Sequence, residues 1–291
     1  MAMQEFDVPV ERRTFTGSHG LALAADAFGD PTNPPAVLLH GGGQTRHSWS
    51  GTAERLAQGG WYAVTVDLRG HGESDWDPDG AYHSTGFAND VVGVAKAFDA
   101  PPVLIGASLG GISSLLAVHT AGNDLARALV LVDIATRMES SGAQRIMDFM
   151  RGGMDGFANL EEVADAVAAY NPHRPRPKDV SGLEKNLRRG DDGRWRWHWD
   201  PAFMQPDENI TDQELVSQEV LDAAAAGLTL PTLLVRGKAS DLLSAEGAQT
   251  FLEQVPHADF ADVSGAGHMV AGDRNDAFSD AVLSFLAERL G

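Results

Sequence analysis

Five short runs that are apolar along almost their whole length set the narrowest limit on what this chain can become. Ala36 to Leu39, Ala63 to Asp67, Val103 to Ile105, Ala128 to Asp133 and Thr232 to Arg236 lack the strict alternation of a half-exposed strand. Such runs belong to strands covered on both faces. Helical stretches near His47 to Gln58, Gly86 to Phe98 and Leu109 to Thr120 separate them. That order needs crossover connections and predicts an α/β domain, a parallel sheet with helices on both faces. A Gly-Ser-His-Gly turn between Arg12 to Thr16 and Leu21 to Asp26 predicts a leading hairpin. A helix near Ala245 to Gln254, a strand at Asp259 to Val263 and a final amphipathic helix from Asn275 to Leu290 complete the layers.

The alternation stops at Asp133 and resumes at Thr232. In between, Ile146, Phe149 and Met150, then Leu160, Val163 and Val167, recur at helical spacing, and a proline-rich break follows at Pro172, Pro175 and Pro177. A connection of that length rarely lacks its own structure. Residues 134–228 are therefore expected to form a mostly helical cap, inserted into a core of residues 1–133 and 229–291.

Charge and composition narrow the partners. With 41 acidic and 22 basic side chains the net charge is −19, so a nucleic-acid backbone or an anionic membrane meets repulsion instead of releasing counterions. A neutral or cationic partner is left open. The chain has no cysteine, which excludes disulfides, thiolate nucleophiles and zinc–thiolate sites. Neither a HExxH pair nor an EF-hand spacing occurs, and no metal or other cofactor is expected. Met1 to Thr16 carries Glu5, Asp7, Glu11, Arg12 and Arg13 and has no apolar block of signal-peptide length, so cytoplasmic residence is the expectation. Val103 to Val118 is broken by glycines and serines and falls short of a membrane span.

The chemistry concentrates at strand ends. After Val103 to Ile105 the chain reads Gly106-Ala107-Ser108-Leu109-Gly110-Gly111 and turns into an apolar helix. A serine on so tight a strand–turn–helix bend needs side-chain-free neighbours. After an earlier strand, His40-Gly41-Gly42-Gly43 could turn backbone N–H groups into a cavity, as oxyanion stabilisation requires. Serine becomes a nucleophile when a base takes its proton, and the base must be oriented by an acid. Of ten histidines, His268 in Gly265-Ala266-Gly267-His268-Met269 follows a strand and so sits at the same sheet edge as Ser108. For the acid, Asp241 lies just beyond Thr232 to Arg236 and is preferred; Asp133, at the end of the preceding strand, is the rival.

The order Ser108, Asp241, His268 resembles the α/β-hydrolase fold superfamily over nearly the whole chain, and Val66-Asp67-Leu68-Arg69-Gly70-His71-Gly72-Glu73-Ser74 matches that fold's turn after its fourth strand. The overall pattern is similar to the capped serine hydrolase branch that includes cofactor-free haloperoxidases, epoxide hydrolases and lactonases. The resemblance implies a mostly parallel eight-stranded sheet and an oxyanion hole from the N–H groups of Gly42 and Leu109. Epoxide hydrolases and haloalkane dehalogenases use an aspartate where this chain has Ser108, which argues against both. What it implies is a serine hydrolase that cleaves a small, largely apolar carboxylic ester or lactone through an acyl-enzyme. Two alternatives are a carbon–carbon bond hydrolase of diketone-type substrates and a ligand-binding, non-catalytic homologue. His40, Gly43, Met147, Met150, Trp197 and Met269 are the expected pocket residues. Five of eight methionines (Met138, Met147, Met150, Met154, Met204) fall at or within the cap, either lining an adaptable apolar pocket or gluing the cap to the core. Arg194-Trp195-Arg196-Trp197-His198-Trp199 alternates strictly, so an extended segment would set three indoles on one face, packed under the cap.

Overall fold

The structure is a computed structural model that describes residues 8–172, 176, 178–204, 217–273 and 275–291. Residues 1–7, with Glu5 and Asp7, and also Pro175 and Pro177 lie outside the described residues. The elements run β1 (Val10–Thr16), β2 (Ala22–Phe28), β3 (Pro35–Leu39), α1 (Ser50–Gln58), β4 (Tyr62–Val66), α2 (Ser84–Ala95), β5 (Val103–Ala107), α3 (Leu109–Ala121) and β6 (Ala128–Val132). After them come α4 (Ser140–Arg151), α5 (Leu160–Tyr170), β7 (Leu187–Arg189), β8 (Trp195–Trp197) and α6 (Gln218–Ala226). The chain closes with β9 (Thr232–Gly237), α7 (Ala245–Gln254), β10 (Asp259–Val263), α8 (Val270–Asp273) and α9 (Asn275–Leu290).

Among the described residues, eight strands form one sheet in the order β1-β2-β4-β3-β5-β6-β9-β10. Only the pairings of β2, with β1 and with β4, are antiparallel. The fully apolar runs are the central strands β3, β4, β5, β6 and β9. Alternate residues of each serve opposite faces. Val37, Leu39 and Leu104 pack under Phe87 of α2, Leu115 of α3 and Phe251 of α7. Ala36, Leu38 and Ile105 pack under Leu56 of α1 and Phe278 and Val282 of α9. Covering both faces leaves the carboxyl ends of the parallel strands as the open edge, where Leu39 pairs with Gly106, Ala107 with Val132, and Val132 with Val235.

The segment between β6 and β9 has its own small core of Met150, Val163, Trp197, Trp199 and Met204. It differs from the expected cap in two ways. Its C-terminal helix α6 belongs to the main body, because Leu221, Ala224 and Ala225 bury themselves in the same cluster as α3. Its remainder carries a two-stranded antiparallel hairpin, β7 with β8, beside the two helices. The alternation of Arg194 to Trp199 is realised, with the indoles turned inward: Trp197 and Trp199 stack at 5.1 Å and 11° and both are buried, whereas Arg196 pairs with Asp192. No helix among the described residues is long and apolar enough to cross a membrane.

Beneath the open edge, the turn that follows β4 is held by buried ion pairs. The Arg46 guanidinium is almost wholly enclosed and donates to Asp67, to Asp26 at 2.9 Å and to Glu73 at 2.8 Å. Asp67 also accepts the backbone N–H of Arg46 at 2.6 Å and of Glu73 at 2.9 Å. Gly72 sits at φ 57°, and a Cβ there would fall 2.1 Å from Asp67 Oδ2, so only glycine closes this turn. Arg46→Ala takes the buried guanidinium away from two buried carboxylates, Asp67 and Asp26. We expect it to lower unfolding stability by about 3–5 kcal/mol, read as a fall in the urea midpoint; a midpoint equal to wild type would contradict the account.

Candidate active site

Ser108 stands where β5 breaks into α3. Its backbone has φ 47° and ψ −114°, a conformation that L residues rarely adopt and that neighbouring packing must enforce. That packing is glycine against backbone. A Cβ on Gly106 would lie 2.4 Å from the Gly110 carbonyl oxygen, and one on Gly110 would lie 2.4 Å from the Leu39 carbonyl oxygen. The N–H of Gly110 donates to the His40 carbonyl at 3.1 Å, tying the start of α3 to the loop after β3. Gly41 faces the serine so closely that a Cβ would sit 3.3 Å from that of Ser108.

His268 meets Asp133, not Asp241. Its Nδ1 lies 2.7 Å from Asp133 Oδ2. The Asp133 side chain is fully enclosed and accepts two further hydrogen bonds, from the Gly237 N–H at 3.0 Å and from the Ser240 hydroxyl at 2.5 Å. Its own backbone is left-handed at φ 51°, which turns the carboxylate off the end of β6. The crossing depends on Gly237: a Cβ there would fall 2.1 Å from the Gly267 carbonyl oxygen, so the loop before His268 lies directly on the end of β9 and delivers the imidazole to the strand beyond. The expectation of Asp241 is therefore corrected. Asp241 is over a third exposed and pairs with Arg145 of α4 at 2.9 Å. Arg145 in turn lies 5.3 Å over the Tyr170 ring, so Asp241 fastens the inserted segment to the core.

A cavity of about 330 Å³ opens at this edge. Ser108, His268, Gly42, Gly43, Met150, Trp197 and Met269 line it, together with Gln44, Thr45, Lys185 and Asn186. No acceptor among the described residues takes the N–H of Gly42 or of Leu109. Two expected pocket residues are elsewhere. Met147 is on the outer face of α4, over a third exposed, and His40 is wholly buried beneath the glycine loop. Of the five methionines expected to line a pocket or glue the inserted segment to the core, Met150 reaches the cavity, whereas Met138, Met147 and Met154 are exposed. Among the described residues no group of three or more His, Asp or Glu side chains is arranged to hold a metal ion.

Residues 36–281 match the alpha/beta hydrolase family. The chain belongs to that family. Among its relatives is the esterase Rv0045c of Mycobacterium tuberculosis, 29% identical over 265 residues, which are 88% of this chain and 84% of the esterase. A 3-hydroxybutyrate-oligomer hydrolase of Cupriavidus necator is 27% identical, over 84% of this chain and 86% of its own. In structure, an alpha/beta hydrolase from Novosphingobium aromaticivorans superposes with a TM-score of 0.79 at 27% identity, covering 97% of this chain and 99% of the other. The E-2-(acetamidomethylene)succinate hydrolase structure gives 0.82 at 24% identity over 96% and 100%, a likeness of fold.

In this alpha/beta hydrolase the glycine loop rests on a pile of buried imidazoles that sequence reading assigned no such role. His40 and His71 lie 5.2 Å apart, and His71 and His198 lie 5.8 Å apart. Each accepts a backbone N–H: His40 Nε2 from Leu68 at 3.0 Å, His71 Nε2 from Gly43 at 3.2 Å, and His198 Nδ1 from Gly72 at 2.6 Å. A proton on any of these nitrogens breaks the bond, so the pile requires neutral rings. Burial pushes His40 down to about 4, and burial together with the His40 neighbour pushes His71 down to about 3, from an ordinary 6.5. Because the unfolded chain takes up these protons first, stability is fully present above pH 6.5 and is lost as pH falls from there toward the folded values. We expect the urea midpoint to drop across that window and the slope to be shallower in His71→Gln; a midpoint flat with pH would refute the neutral pile.

Proposed function

We propose that this protein is a serine hydrolase of small carboxylic esters that works through an acyl-enzyme on Ser108. The single observation that carries the reading is the 2.7 Å contact of His268 Nδ1 with the enclosed Asp133 carboxylate, at a cavity that His268 shares with the strained Ser108. The contact holds a proton on Nδ1 and leaves Nε2 as the base. In the first half-reaction His268 Nε2 takes the Ser108 hydroxyl proton as Oγ bonds to the ester carbonyl carbon. The Gly42 and Leu109 N–H groups receive the negative charge that develops on the carbonyl oxygen. Collapse breaks the bond to the alkoxy oxygen, and the proton on Nε2 leaves with the alcohol. Water repeats the sequence, releasing the acid and restoring Ser108.

Relatives named as an esterase and as a 3-hydroxybutyrate-oligomer hydrolase support ester chemistry. The enclosed Met150 and Trp197 support a partly apolar acyl pocket, and the inserted segment that carries them would act as the cap that selects substrate.

With p-nitrophenyl acetate and butyrate, Ser108→Ala is expected to lose on the order of 10³ to 10⁶ in kcat/KM together with labelling by a fluorophosphonate. Asp133→Asn is expected to lose on the order of 10² to 10⁴, because the amide cannot hold the Nδ1 proton in place. Asp241→Asn is expected to stay within a factor of about three of wild type, the scale of a surface substitution. A larger loss in Asp241→Asn than in Asp133→Asn would return the acid to Asp241, and undiminished turnover by Ser108→Ala would overturn the serine mechanism.

A further inference from the structure

The charge of the cavity wall is opposite to that of the molecule. The chain has 41 acidic residues, yet no Asp or Glu is among the described residues that line the cavity. It has four lysines, and one of them, Lys185, does line it. Among the described residues Lys185 pairs with no carboxylate. Lys185 is exposed to solvent where it lines the cavity.

The neighbouring amides show the same bias. Gln44 Oε1 accepts the Gly41 N–H at 3.3 Å, an arrangement that fixes the amide because an N–H can only donate. Asn186 Oδ1 accepts the Thr45 hydroxyl at 3.0 Å. The acceptor ends of both side chains are thus engaged within the protein, and no described acceptor takes the NH₂ group of either. His47 lies close enough to feel the Lys185 charge, and burial first and the Arg46 charge second hold its imidazole below the ordinary value. The wall therefore offers one ammonium and amide donors, with no competing anion. A single positive charge balances a single negative one, and planar N–H donors beside an ammonium suit carboxylate oxygens.

The geometry points to a substrate that carries a free carboxylate besides its scissile ester, held by Lys185 with Asn186 and Gln44. The inference rests on the serine hydrolase reading for the scissile bond, while the carboxylate site itself stands on the wall alone. It narrows the substrate class to monoesters of short dicarboxylic acids and to acyl groups that end in a carboxylate.

The test uses the full chain and matched pairs of methyl esters followed by proton release: monomethyl succinate with methyl butyrate, monomethyl glutarate with methyl valerate, and monomethyl adipate with methyl hexanoate. The quantity read is the ratio of kcat/KM for the acid ester over its neutral partner. Wild type is expected to give a ratio above one for at least one chain length. Lys185→Gln is expected to lower that ratio about tenfold, chiefly through KM, the scale of one charge-assisted hydrogen bond. Lys185→Glu should invert the preference and Lys185→Arg should keep it. A ratio equal in wild type and Lys185→Gln overturns the inference and leaves the hydrolase reading intact. If no ester is turned over, the hydrolase reading fails separately. Calorimetry of succinate, glutarate and adipate with Ser108→Ala then decides the carboxylate site. Binding weakened about tenfold by adding Lys185→Gln supports it, and absent or equal binding overturns it.

Discussion

The active edge depends on one close approach, the passage of α3 against β5 and β3 with no side chain between them. Gly106 lies against the Gly110 carbonyl, and Gly110 against the Leu39 carbonyl, each nearer than any Cβ allows. That contact holds Ser108 in a strained backbone and, through the Gly110 N–H on the His40 carbonyl, sets the glycine loop at a fixed height beside it. A methyl group at either glycine would separate helix from strand and move the serine and the loop together. The strain at Ser108 is sustained by the surrounding core, since α3 buries Leu115, Leu116 and Val118 against the sheet.

Below that edge, buried ion pairs hold turns. Arg46 and Arg69 are both enclosed, the first on Asp67 and Asp26, the second on Asp90 and on Asp77 at 3.2 Å. Buried pairs of this kind are weak evidence for net stability. Their effect here is geometric: they fix the turn after β4, whose His71 supports Gly43 and whose Gly72 receives His198 from the inserted segment. The inserted segment is thereby connected to the glycine loop through neutral imidazoles, and its packing and the loop's position share one set of hydrogen bonds.

Electrostatics separate by location. A net charge of −19 acts at long range against anions, and composition alone favours a neutral or cationic ligand. Among the described residues the cavity wall is a local exception, with no Asp or Glu and with Lys185 beside amide donors.

Most of the fold was legible in the chain because fully apolar runs and helical stretches follow from local periodicity alone. Ser108 and His268 were legible for the same reason: each follows a strand in a glycine-rich turn, and strand ends of a parallel sheet share an edge. The acid was not. Asp133 and Asp241 follow neighbouring strands, β6 and β9, and either could face the edge; the choice was made by Gly237, whose missing side chain lets the His268 loop cross β9. The end of the inserted segment was likewise hidden, since the apolar stripe of α6 fits either body until α3 is present to cover it. The make-up of the cavity lining was beyond sequence reading altogether. Thr45 and Asn186 are 141 positions apart, and they meet at the cavity only once the chain has folded.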